Sequence, residues 1–347
     1  MSTVMLEEIL EQPAALERTL SALRPLVDDV RQLARGRSQV LFAARGSSDN
    51  AAIYGRYLCE VVAGRAAASV AASVATAYRR HVDLRHALVV GVSQSGETTE
   101  LVQILAWARS CGAATLAVTN VPSSSLALGA DLALVTEANP ERAVPATKTF
   151  TAQLAAMALL ARALSEQSAL PELDLVPDAV AELAHARKGV DQAIDALLGR
   201  PQTVVTGRGF TYAVAAELAL KLEETCLRPV PGLSYADLRH GPIAIVDDRT
   251  AALVVAPCDG PVLGGLTQLL PDLRSRGAAV VGIGGDASFA RAADLTVAGP
   301  DLPEMLAPIG LVVAGQLVVE GLARGLGLDP DAPRGLKKVT QTDLEHT

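Results

Sequence analysis

The sequence predicts an α/β protein of two similar domains, each a parallel sheet flanked by helices. Strand-like apolar runs alternate with helical segments along the chain, and this alternation is typical of parallel sheets with right-handed crossovers. The chain has 347 residues and is 50% hydrophobic but only 3% aromatic. Its core must therefore consist mainly of Ala, Val and Leu, which suits helices packed closely on a parallel sheet.

The two halves of the sequence resemble each other at a nearly constant offset. SQVLFAARGSSDN matches PQTVVTGRGF, which places Arg45 and Arg208 163 positions apart, and ALVVGVSQSG matches ALVVAPCDGP. Ordered matches of this kind indicate duplication of a whole domain. The predicted organisation is a helical segment (1–35), a first domain (36–166), a linker and helix (167–197), a second domain (198–328) and a C-terminal tail (329–347).

Each element of the first domain follows from its local pattern. Apolar residues at helical spacing predict helix over about 5–35. The predicted strands are the first part of SQVLFAARGSSDN, AASVAASV, ALVVGV, ATLAVTN and LALVTEAN, and the predicted helices are AAIYGRYLCEVVAG, a segment through Trp107 and a long segment from near Thr147 to Leu164. The polar stretch SEQSALPELDLVPD reads as a linker, and a helix is predicted near 177–198.

Composition excludes several classes of function. A net charge of −8 argues against a nucleic-acid surface. The four cysteines, Cys59, Cys111, Cys226 and Cys258, lack metal or redox spacing, so we expect reduced thiols. Neither a metal nor a cofactor is expected. The first residues lack the features of a signal peptide, and the longer apolar runs, such as LAAMALLARAL, are expected to be too short to span a bilayer. A cytoplasmic protein that does not bind membranes is expected.

The loop SQSGETTE directly follows the apolar run LVVGV. Ser93, Ser95, Thr98 and Thr99 supply hydroxyls, and Gly96 allows a ligand to approach the backbone. A helix begins here, at the edge of a parallel sheet where ligands bind, and these features suit a phosphate group. The alternative is helix capping by Ser95, with residues 97 and 98 in the first turn, and the loop alone does not separate the two interpretations.

Two further segments strengthen the phosphate interpretation. ARGSSDN ends the first strand of the same domain, and PATKTFTAQL begins its long helix. Two hydroxyl-rich loops at the strand ends of one sheet can converge on one ligand. In the second domain the counterpart of SQSGET is PCDGPVL, which has no hydroxyl, so the first domain is expected to hold the anion and the second to have lost that capacity.

SQSGET, RGSSDN and TKTFTAQL together resemble the sugar isomerase (SIS) domain family over nearly the whole chain. The resemblance implies two tandem three-layer α/β/α domains of flavodoxin-like type. The resemblance is strongest to family members with paired domains, namely glucosamine-6-phosphate deaminases and the isomerase half of glutamine–fructose-6-phosphate aminotransferase. By motif position it implies phosphate contacts from Ser48, Ser93, Gln94, Ser95 and Thr98 and further substrate contacts from Gly46, Ser47, Val144, Ala146 and Thr147.

Aldose–ketose conversion requires a group that moves a proton between C1 and C2 of the sugar. Lys221 and Glu224 lie three residues apart on a predicted helix, where the simplest interpretation is a surface ion pair of little energy. The family pattern Leu-Lys-x-x-Glu instead assigns Glu224 as the catalytic acid/base, with Lys221 beside it. Neighbouring Glu223 is expected to be exposed.

Two other candidates come from loops. His240 lies in LRHGP, a rigid turn, and the resemblance implies that it promotes ring opening in the active site of a neighbouring subunit, which requires a homodimer. The other four histidines (His81, His86, His185 and His346) read as surface groups. PRGLKKVT resembles the closing tail of the family, in which Lys338 covers the site and can form a Schiff base, whereas Lys337 is one position off.

The resemblance favours an enzyme that converts glucosamine 6-phosphate to fructose 6-phosphate and ammonia. No cysteine precedes Cys59, so we expect no glutaminase domain and hence deamination rather than synthesis. Pro145-Ala146 replaces Ala-Ser of the synthases, and Asp237 replaces a glutamate before His240, which leaves the sugar open. The alternatives are an isomerase or deglycase of another sugar phosphate, and a non-catalytic phosphosugar sensor.

Overall fold

The computed structural model describes residues 2–166 and 170–338, so the tail positions 339–347, including His346, and linker positions 167–169 lie outside the described residues. Two compact units are present. The A unit comprises residues 14–141 and 148–171, with Lys337 and Lys338 of the tail. The B unit comprises residues 2–13, 142–147 and 172–336.

The described elements of the two units have the following bounds. The helices are α1 Val4–Leu10, α2 Gln12–Leu23, α3 Val27–Leu33, α4 Ser47–Val61, α5 Ala72–Thr76, α6 Thr99–Ser110, α7 Ser125–Gly129, α8 Lys148–Leu164, α9 Val176–Ala184, α10 Val190–Leu198, α11 Thr211–Cys226, α12 Tyr235–Arg239, α13 Leu263–Ser275, α14 Ala287–Ala292 and α15 Ala307–Gly325. The strands are β1 Gln39–Ala43, β2 Ala66–Ser69, β3 Ala87–Val92, β4 Ala114–Thr119, β5 Leu132–Val135, β6 Gln202–Gly207, β7 Gly232–Ser234, β8 Thr250–Ala256, β9 Ala279–Gly284 and β10 Leu295–Val297. Short 3₁₀ turns cover Arg24–Leu26, Pro171–Leu175 and Pro242–Ile245.

Each unit contains one five-stranded sheet, and the two sheets have the same topology. The order is β2-β1-β3-β4-β5 in the A unit and β7-β6-β8-β9-β10 in the B unit. All neighbouring strands are parallel. This 2-1-3-4-5 order is that of flavodoxin-like folds. The prediction of tandem α/β domains with parallel sheets flanked by helices is therefore confirmed.

The central strands of the A unit are buried throughout, as unbroken apolar runs predict. Every residue of β3 and β4 is buried, because helices cover both faces of the sheet. Gly55 of α4 permits close packing on α8, since a Cβ atom at this position would lie 2.7 Å from Sδ of Met157 and 3.0 Å from Cζ of Phe42. A core of small residues thus brings α4 and α8 together.

One described helix, α15, is long and apolar enough to cross a membrane, contrary to the expectation that the apolar runs are too short. It has 19 residues, and 94% of its most apolar window is buried inside the protein. Helices α9, α10 and α11 pack against it in the B unit. Its apolar character is accounted for by this packing, which makes it the central helix of the B unit core.

Several predicted elements differ from the structure at turn-forming residues. The N-terminal helical segment is divided into α1, α2 and α3, with a 3₁₀ turn that contains Pro25. The helix predicted near 177–198 is two helices, because Gly189 adopts a left-handed conformation (φ 81°) before α10. AASVAASV was predicted as strand, but β2 ends at Ser69 and α5 begins at Ala72. The supposed linker already forms a 3₁₀ turn from Pro171.

Candidate functional site

The loop between β3 and α6 is held rigidly against β4. The backbone amide of Ser93 donates to the carbonyl oxygen of Val118 (3.0 Å), and the amide of Asn120 donates to the carbonyl oxygen of Gln94 (3.0 Å). The Ser93 hydroxyl is buried and accepts from the amide of Gly96 (3.1 Å). These bonds fix the loop independently of any ligand.

Gly96 and Glu97 determine the shape of this loop. Gly96 has a φ of 66°, and a Cβ atom there would lie 2.2 Å from Oγ of Ser124, so only glycine fits. The Glu97 carboxylate accepts from the hydroxyl (2.8 Å) and the amide (3.0 Å) of Ser125. Both hydrogen bonds lower the pKa of Glu97 and keep it charged at neutral pH.

The structure does not support helix capping by Ser95. Helix α6 begins at Thr99, and its N-cap residue is Thr98, whose side chain makes no capping hydrogen bond. The Ser95 hydroxyl instead accepts from the amide of Glu97 (3.3 Å), before the helix starts. Ser95, Thr98 and Gln94 are partly exposed, so polar groups at the positive end of α6 can reach a bound anion.

A second loop, between β1 and α4, adjoins the first within the A unit. Nη2 of Arg45 lies 2.8 Å from Oε1 of Glu100 in α6. Gly46 precedes α4 with a φ of 57°, and Ser47 is the first helical residue. Ser48 is buried, and its hydroxyl accepts from Nε2 of Gln153 (3.0 Å). The two serine-containing loops therefore lie at the same edge of the sheet, as predicted.

Gln153 is a polar residue that the sequence analysis did not identify. It lies in α8, where almost every side chain is buried. Its Oε1 atom is buried and has no hydrogen-bond partner among the described residues. The one available signal was the presence of a glutamine in an otherwise apolar part of that helix.

Lys338 of the A unit forms an ion pair with a buried carboxylate. Its Nζ atom lies 2.9 Å from Oε2 of Glu141, which is only 6% exposed. Thr149, at the start of α8, donates its amide (3.3 Å) and its hydroxyl to the same carboxylate. Lys337 is exposed. Glu141 was missed because nothing local to it signals a partner in the tail.

In the B unit, α11 carries a lysine between two glutamates. Nζ of Lys221 contacts Oε2 of Glu224 and lies 3.6 Å from Oε1 of Glu217. The exposed fraction of the side chain is 1% for Lys221, 0% for Glu217 and 23% for Glu224. The surface ion-pair interpretation is therefore wrong, because the lysine is buried.

The neighbouring acidic residues behave differently from Glu224. Glu223 is exposed, as predicted, and accepts from the amide of Val230 (3.3 Å). Glu217 lies one turn before Lys221 on the same helix face and was not identified from the sequence. Its i,i+4 spacing to Lys221 was the available signal. Glu224 is thus the carboxylate of this cluster that is accessible to a substrate.

His240 lies on the surface of the B unit, in a turn of defined shape. Its amide donates to the carbonyl oxygens of Ala236 and Asp237 (both 3.1 Å) at the end of α12. Gly241 follows with a φ of 123°. Oδ2 of Asp237 accepts a hydrogen bond from the hydroxyl of Ser234 (2.6 Å), which is the N-cap residue of α12. No hydrogen bond joins the His240 ring to another predicted catalytic residue among those described.

The three other described histidines, His81, His86 and His185, are exposed, as predicted. Within residues 2–166 and 170–338, no group of three or more His, Cys, Asp or Glu side chains is placed to hold a metal ion.

Residues 142–147 of the B unit are held by the side chain of Glu8 and the backbone of Asp331, two residues that the sequence analysis overlooked. Glu8 of α1 accepts from the amides of Arg142 (2.6 Å) and Ala143 (3.1 Å). The carboxylate of Asp331 accepts from the amides of residues 4 and 5 (2.9 and 2.7 Å), and its carbonyl oxygen accepts from the amide of Val144 (2.9 Å). Val144 and Ala146 are partly exposed, whereas Thr147 is buried.

The counterpart of the phosphate loop in the B unit is acidic. A Cβ atom on Gly260 would lie 1.9 Å from Oε2 of Glu304, so this carboxylate lies over the loop backbone. The amide of Glu304 donates to Oδ1 of Asp259 (2.8 Å). Burial and the charge of Asp259 raise the pKa of Glu304. Two acidic side chains disfavour an anion here, which supports the expectation that this loop no longer binds one.

Comparison with known proteins assigns the family. A SIS domain model matches residues 33–163 and 197–320, more than half of the chain. This chain belongs to the SIS domain family. Each matched segment contains one five-stranded sheet, in agreement with the repeat seen in the sequence.

The chain is also similar to two glutamine–fructose-6-phosphate aminotransferases. It is 32% identical over 344 residues to the glutamine–fructose-6-phosphate aminotransferase (isomerizing) of Thermococcus kodakarensis, covering 96% of this chain and 57% of that protein. It is 36% identical over 358 residues to the enzyme of the same name from Symbiobacterium thermophilum, covering 96% and 58%. The chain thus spans little more than half the length of these relatives.

Two solved structures have the same fold. The C-terminal domain of glucosamine-fructose-6-phosphate aminotransferase from Francisella tularensis superimposes with a TM-score of 0.88 at 28% identity, covering 96% of this chain and 99% of that one. A Silicibacter pomeroyi DSS-3 protein described as a candidate phosphosugar isomerase gives a TM-score of 0.86 at 32% identity, covering 95% of this chain and 100% of that one.

Proposed function

We propose that this SIS protein is a phosphosugar isomerase that deaminates glucosamine 6-phosphate to fructose 6-phosphate. The buried lysine between two glutamates on α11 is the observation that carries this proposal. A protein that only binds phosphosugar has no need of a buried cation beside an accessible carboxylate. The aminotransferase name of the relatives and the isomerase description of one solved structure point to the same class of reaction.

The geometry of each unit supports the proposed roles. In the A unit, Ser93, Gln94, Ser95 and Thr98, with Ser48, bind the phosphate group. In the B unit, Glu224 is the proton-transferring base, and Lys221 holds its carboxylate in one orientation. A fixed, partly exposed carboxylate is suited to general acid–base catalysis.

The chemical sequence requires one base and one water molecule. Glu224 removes the proton from C2 of the open-chain aldehyde, the electron pair moves to form the C1–C2 double bond, and O1 takes up a proton to give the enol. The proton held by Glu224 then returns to C1 while the amino group loses one N–H proton, which balances the proton taken up by O1 and gives an imine at C2. Water adds to this imine, and ammonia leaves as fructose 6-phosphate forms. No oxidant or reductant is consumed.

The four cysteines of this chain are not suited to the hydrolysis of glutamine. Glutamine hydrolysis by a cysteine enzyme requires an activated, accessible thiolate. Burial raises the pKa of Cys59 to about 12 and that of Cys226 to about 11. Burial and then Asp259 and Asp301 raise the pKa of Cys258, and Cys111 is buried. None of these thiols is activated for attack on glutamine.

His240 is proposed to act in a homodimer, where it promotes opening of the sugar ring bound by a neighbouring subunit. Two observations support this proposal. The His240 residue is exposed on a turn of fixed shape, and the side chain of nearby Ile245 is 50% exposed. Sedimentation equilibrium tests the dimer. Mixing inactive Glu224→Gln subunits with inactive His240→Ala subunits should restore activity, and no recovery would contradict sharing of the site.

The deciding experiment is incubation of the purified protein with glucosamine 6-phosphate while ammonia and fructose 6-phosphate are assayed. Glu224→Gln should abolish turnover and leave sugar binding unchanged, whereas Glu223→Gln serves as the matched control and should retain activity. Equal loss in both variants would refute the assignment of the base. Binding without turnover in the wild-type protein would favour a sensor, and turnover of another phosphosugar alone would favour a different isomerase.

A further inference from the structure

A cavity of about 460 Å³ lies in the A unit, separate from the phosphate loops. Helices α5 and α6 and the segment between α5 and β3 form its walls. Its polar lining includes Arg79, Arg80, His81, Gln103, Trp107 and Ser110, and no Asp or Glu side chain lines it. Its volume is within the range of sites for small organic ligands.

The arginine side chains at this cavity are exposed to solvent and are not neutralised by a carboxylate among the described residues. Arg79 and Arg80 have no carboxylate partner in the part of the chain that the structure describes. The nearby Arg85 and Arg109, in contrast, pair with Asp83 (2.7 Å) and Asp131 (2.6 Å). Two adjacent free guanidinium groups in a protein of net charge −8 make this cavity a local positive site in an acidic molecule.

The backbone presents these residues in one conformation. Arg79 has a φ of 49°, which is unfavourable for a side chain of this size. The amide of Arg80 donates to the carbonyl oxygen of Val74 (3.1 Å), and Nε1 of Trp107 donates to the carbonyl oxygen of Arg80 (2.7 Å). Nδ1 of His81 lies 3.5 Å from Sγ of Cys111. The basic segment is therefore tied to α5 and α6 before any ligand binds.

From this arrangement we propose that the cavity binds a small phosphorylated metabolite as an effector. Guanidinium groups recognise phosphate oxygens through paired N–H donors. Gln103 and Ser110 offer further polar contacts, and Trp107 with adjacent alanines forms a wall for the organic part of the ligand.

Helix α6 connects this cavity to the phosphate loop. The cavity residues Gln103, Trp107 and Ser110 lie along the helix whose N-terminus, Thr99, directly follows SQSGET. Eight residues separate Thr99 from Trp107, about 12 Å along the axis. A ligand that shifts α6 would change the geometry of loop 93–98, and binding at the two sites would then be reciprocally coupled.

Trp107 permits a test that isolates this cavity, because it is the single tryptophan of the chain. Inorganic pyrophosphate is titrated into the full-length protein at constant ionic strength, with excitation at a wavelength selective for tryptophan. We expect a saturable change in Trp107 emission. Ser95→Ala, which alters the other anion site, should leave that change in place, so the result does not depend on the proposed enzymatic function.

Arg79→Gln/Arg80→Gln is expected to weaken pyrophosphate binding at least about tenfold, since two charged hydrogen bonds are lost. Arg31→Gln/Arg35→Gln, which removes two exposed charges elsewhere in the A unit, is the charge-matched control and should bind as the wild type does. Absence of a saturable response, an equal loss in both double variants, or tighter binding of citrate than of pyrophosphate would each overturn the proposal. Retained circular dichroism confirms that the variants fold.

Discussion

Nζ of Lys221 lies 3.6 Å from Oε1 of Glu217, and both side chains are buried almost completely. Glu224, one turn further along α11, contacts the same ammonium group from the more exposed side. Lys221 therefore compensates a buried negative charge and orients a carboxylate that is accessible to substrate. This double role predicts separable effects on stability and on catalysis.

Lys221→Ala should lower the free energy of unfolding by about 3–5 kcal/mol, because Glu217 would remain buried without its cation. Urea denaturation followed by circular dichroism measures this loss. The double variant Lys221→Met/Glu217→Leu should recover most of it, since an apolar pair replaces both charges.

Glu223→Ala is the control for that experiment, because Glu223 lies on the same helix but is exposed. Its effect should stay within about 0.5 kcal/mol, the usual range for surface substitutions. If Lys221→Ala were equally mild, the ammonium group would not be compensating a buried charge.

Much of the fold was predictable because its signals are local. The apolar run of β3 and the long helix α8 were both expected, and they occur at Ala87–Val92 and Lys148–Leu164. The repeat at an offset of about 163 positions predicted a second domain, and the two sheets share one strand order. Periodicity did not locate the break before α10, where the left-handed Gly189 separates two amphipathic helices.

The site was predictable only in part, for a physical reason. Ser93 and Ser48 were recognised because hydroxyl groups at strand ends form a short motif. Glu141 and Lys338 are 197 positions apart, and no local pattern encodes such a contact. The burial of Lys221 also depends on tertiary packing, so sequence spacing favoured a surface ion pair incorrectly.

Gly96→Ala should destabilise the protein by more than its backbone conformation alone explains. A left-handed residue other than glycine costs about 1–2 kcal/mol, and the new Cβ atom would also lie 2.2 Å from Oγ of Ser124. Gly64→Ala is the matched control, because Gly64 has a φ of 62° and no atom within 4 Å of the added Cβ. Thermal unfolding of both variants measures the difference. Equal melting temperatures would show that loop 93–98 accommodates the added Cβ atom without loss of stability.

Lys338→Ala should reduce kcat/KM for the proposed substrate by about 10²-fold or more, the range expected for loss of a positioned catalytic group. Lys338→Arg retains the charge beside Glu141 but cannot form a Schiff base with an open-chain ketose. Borohydride trapping with fructose 6-phosphate, followed by mass spectrometry, should label Lys338 in the wild type and nothing at this position in the arginine variant.

Lys337→Ala supplies the control for Lys338, because Lys337 is exposed. It should leave both kcat/KM and the labelling unchanged. Full activity in Lys338→Arg would reduce the role of Lys338 to its ion pair with Glu141, and labelling of Lys337 would show that the wrong lysine was assigned.

Glu304→Gln should stabilise the protein at neutral pH. Burial and Asp259 raise the pKa of Glu304 above its ordinary value near 4.5, so the folded state binds this proton more tightly than the unfolded chain does. The stabilising contribution of the protonated group is complete below the unfolded-state pKa and is lost as pH rises through the raised folded-state pKa. At pH 7 the folded protein must therefore hold an unfavourable carboxylate, which glutamine removes.

The expected gain at pH 7 is at most about 1 kcal/mol, because solvent screens a half-buried carboxylate. Urea denaturation at pH 4 and pH 7 should show this gain at pH 7 only. Glu97→Gln provides a control of opposite sign, since hydrogen bonds from Ser125 lower the pKa of Glu97 and its stabilising contribution is present above the unfolded-state pKa. Glu97→Gln should therefore destabilise the protein at pH 7. A shift of the same sign in both variants would mean that the local charge at Glu304 does not govern the stability of the acidic loop.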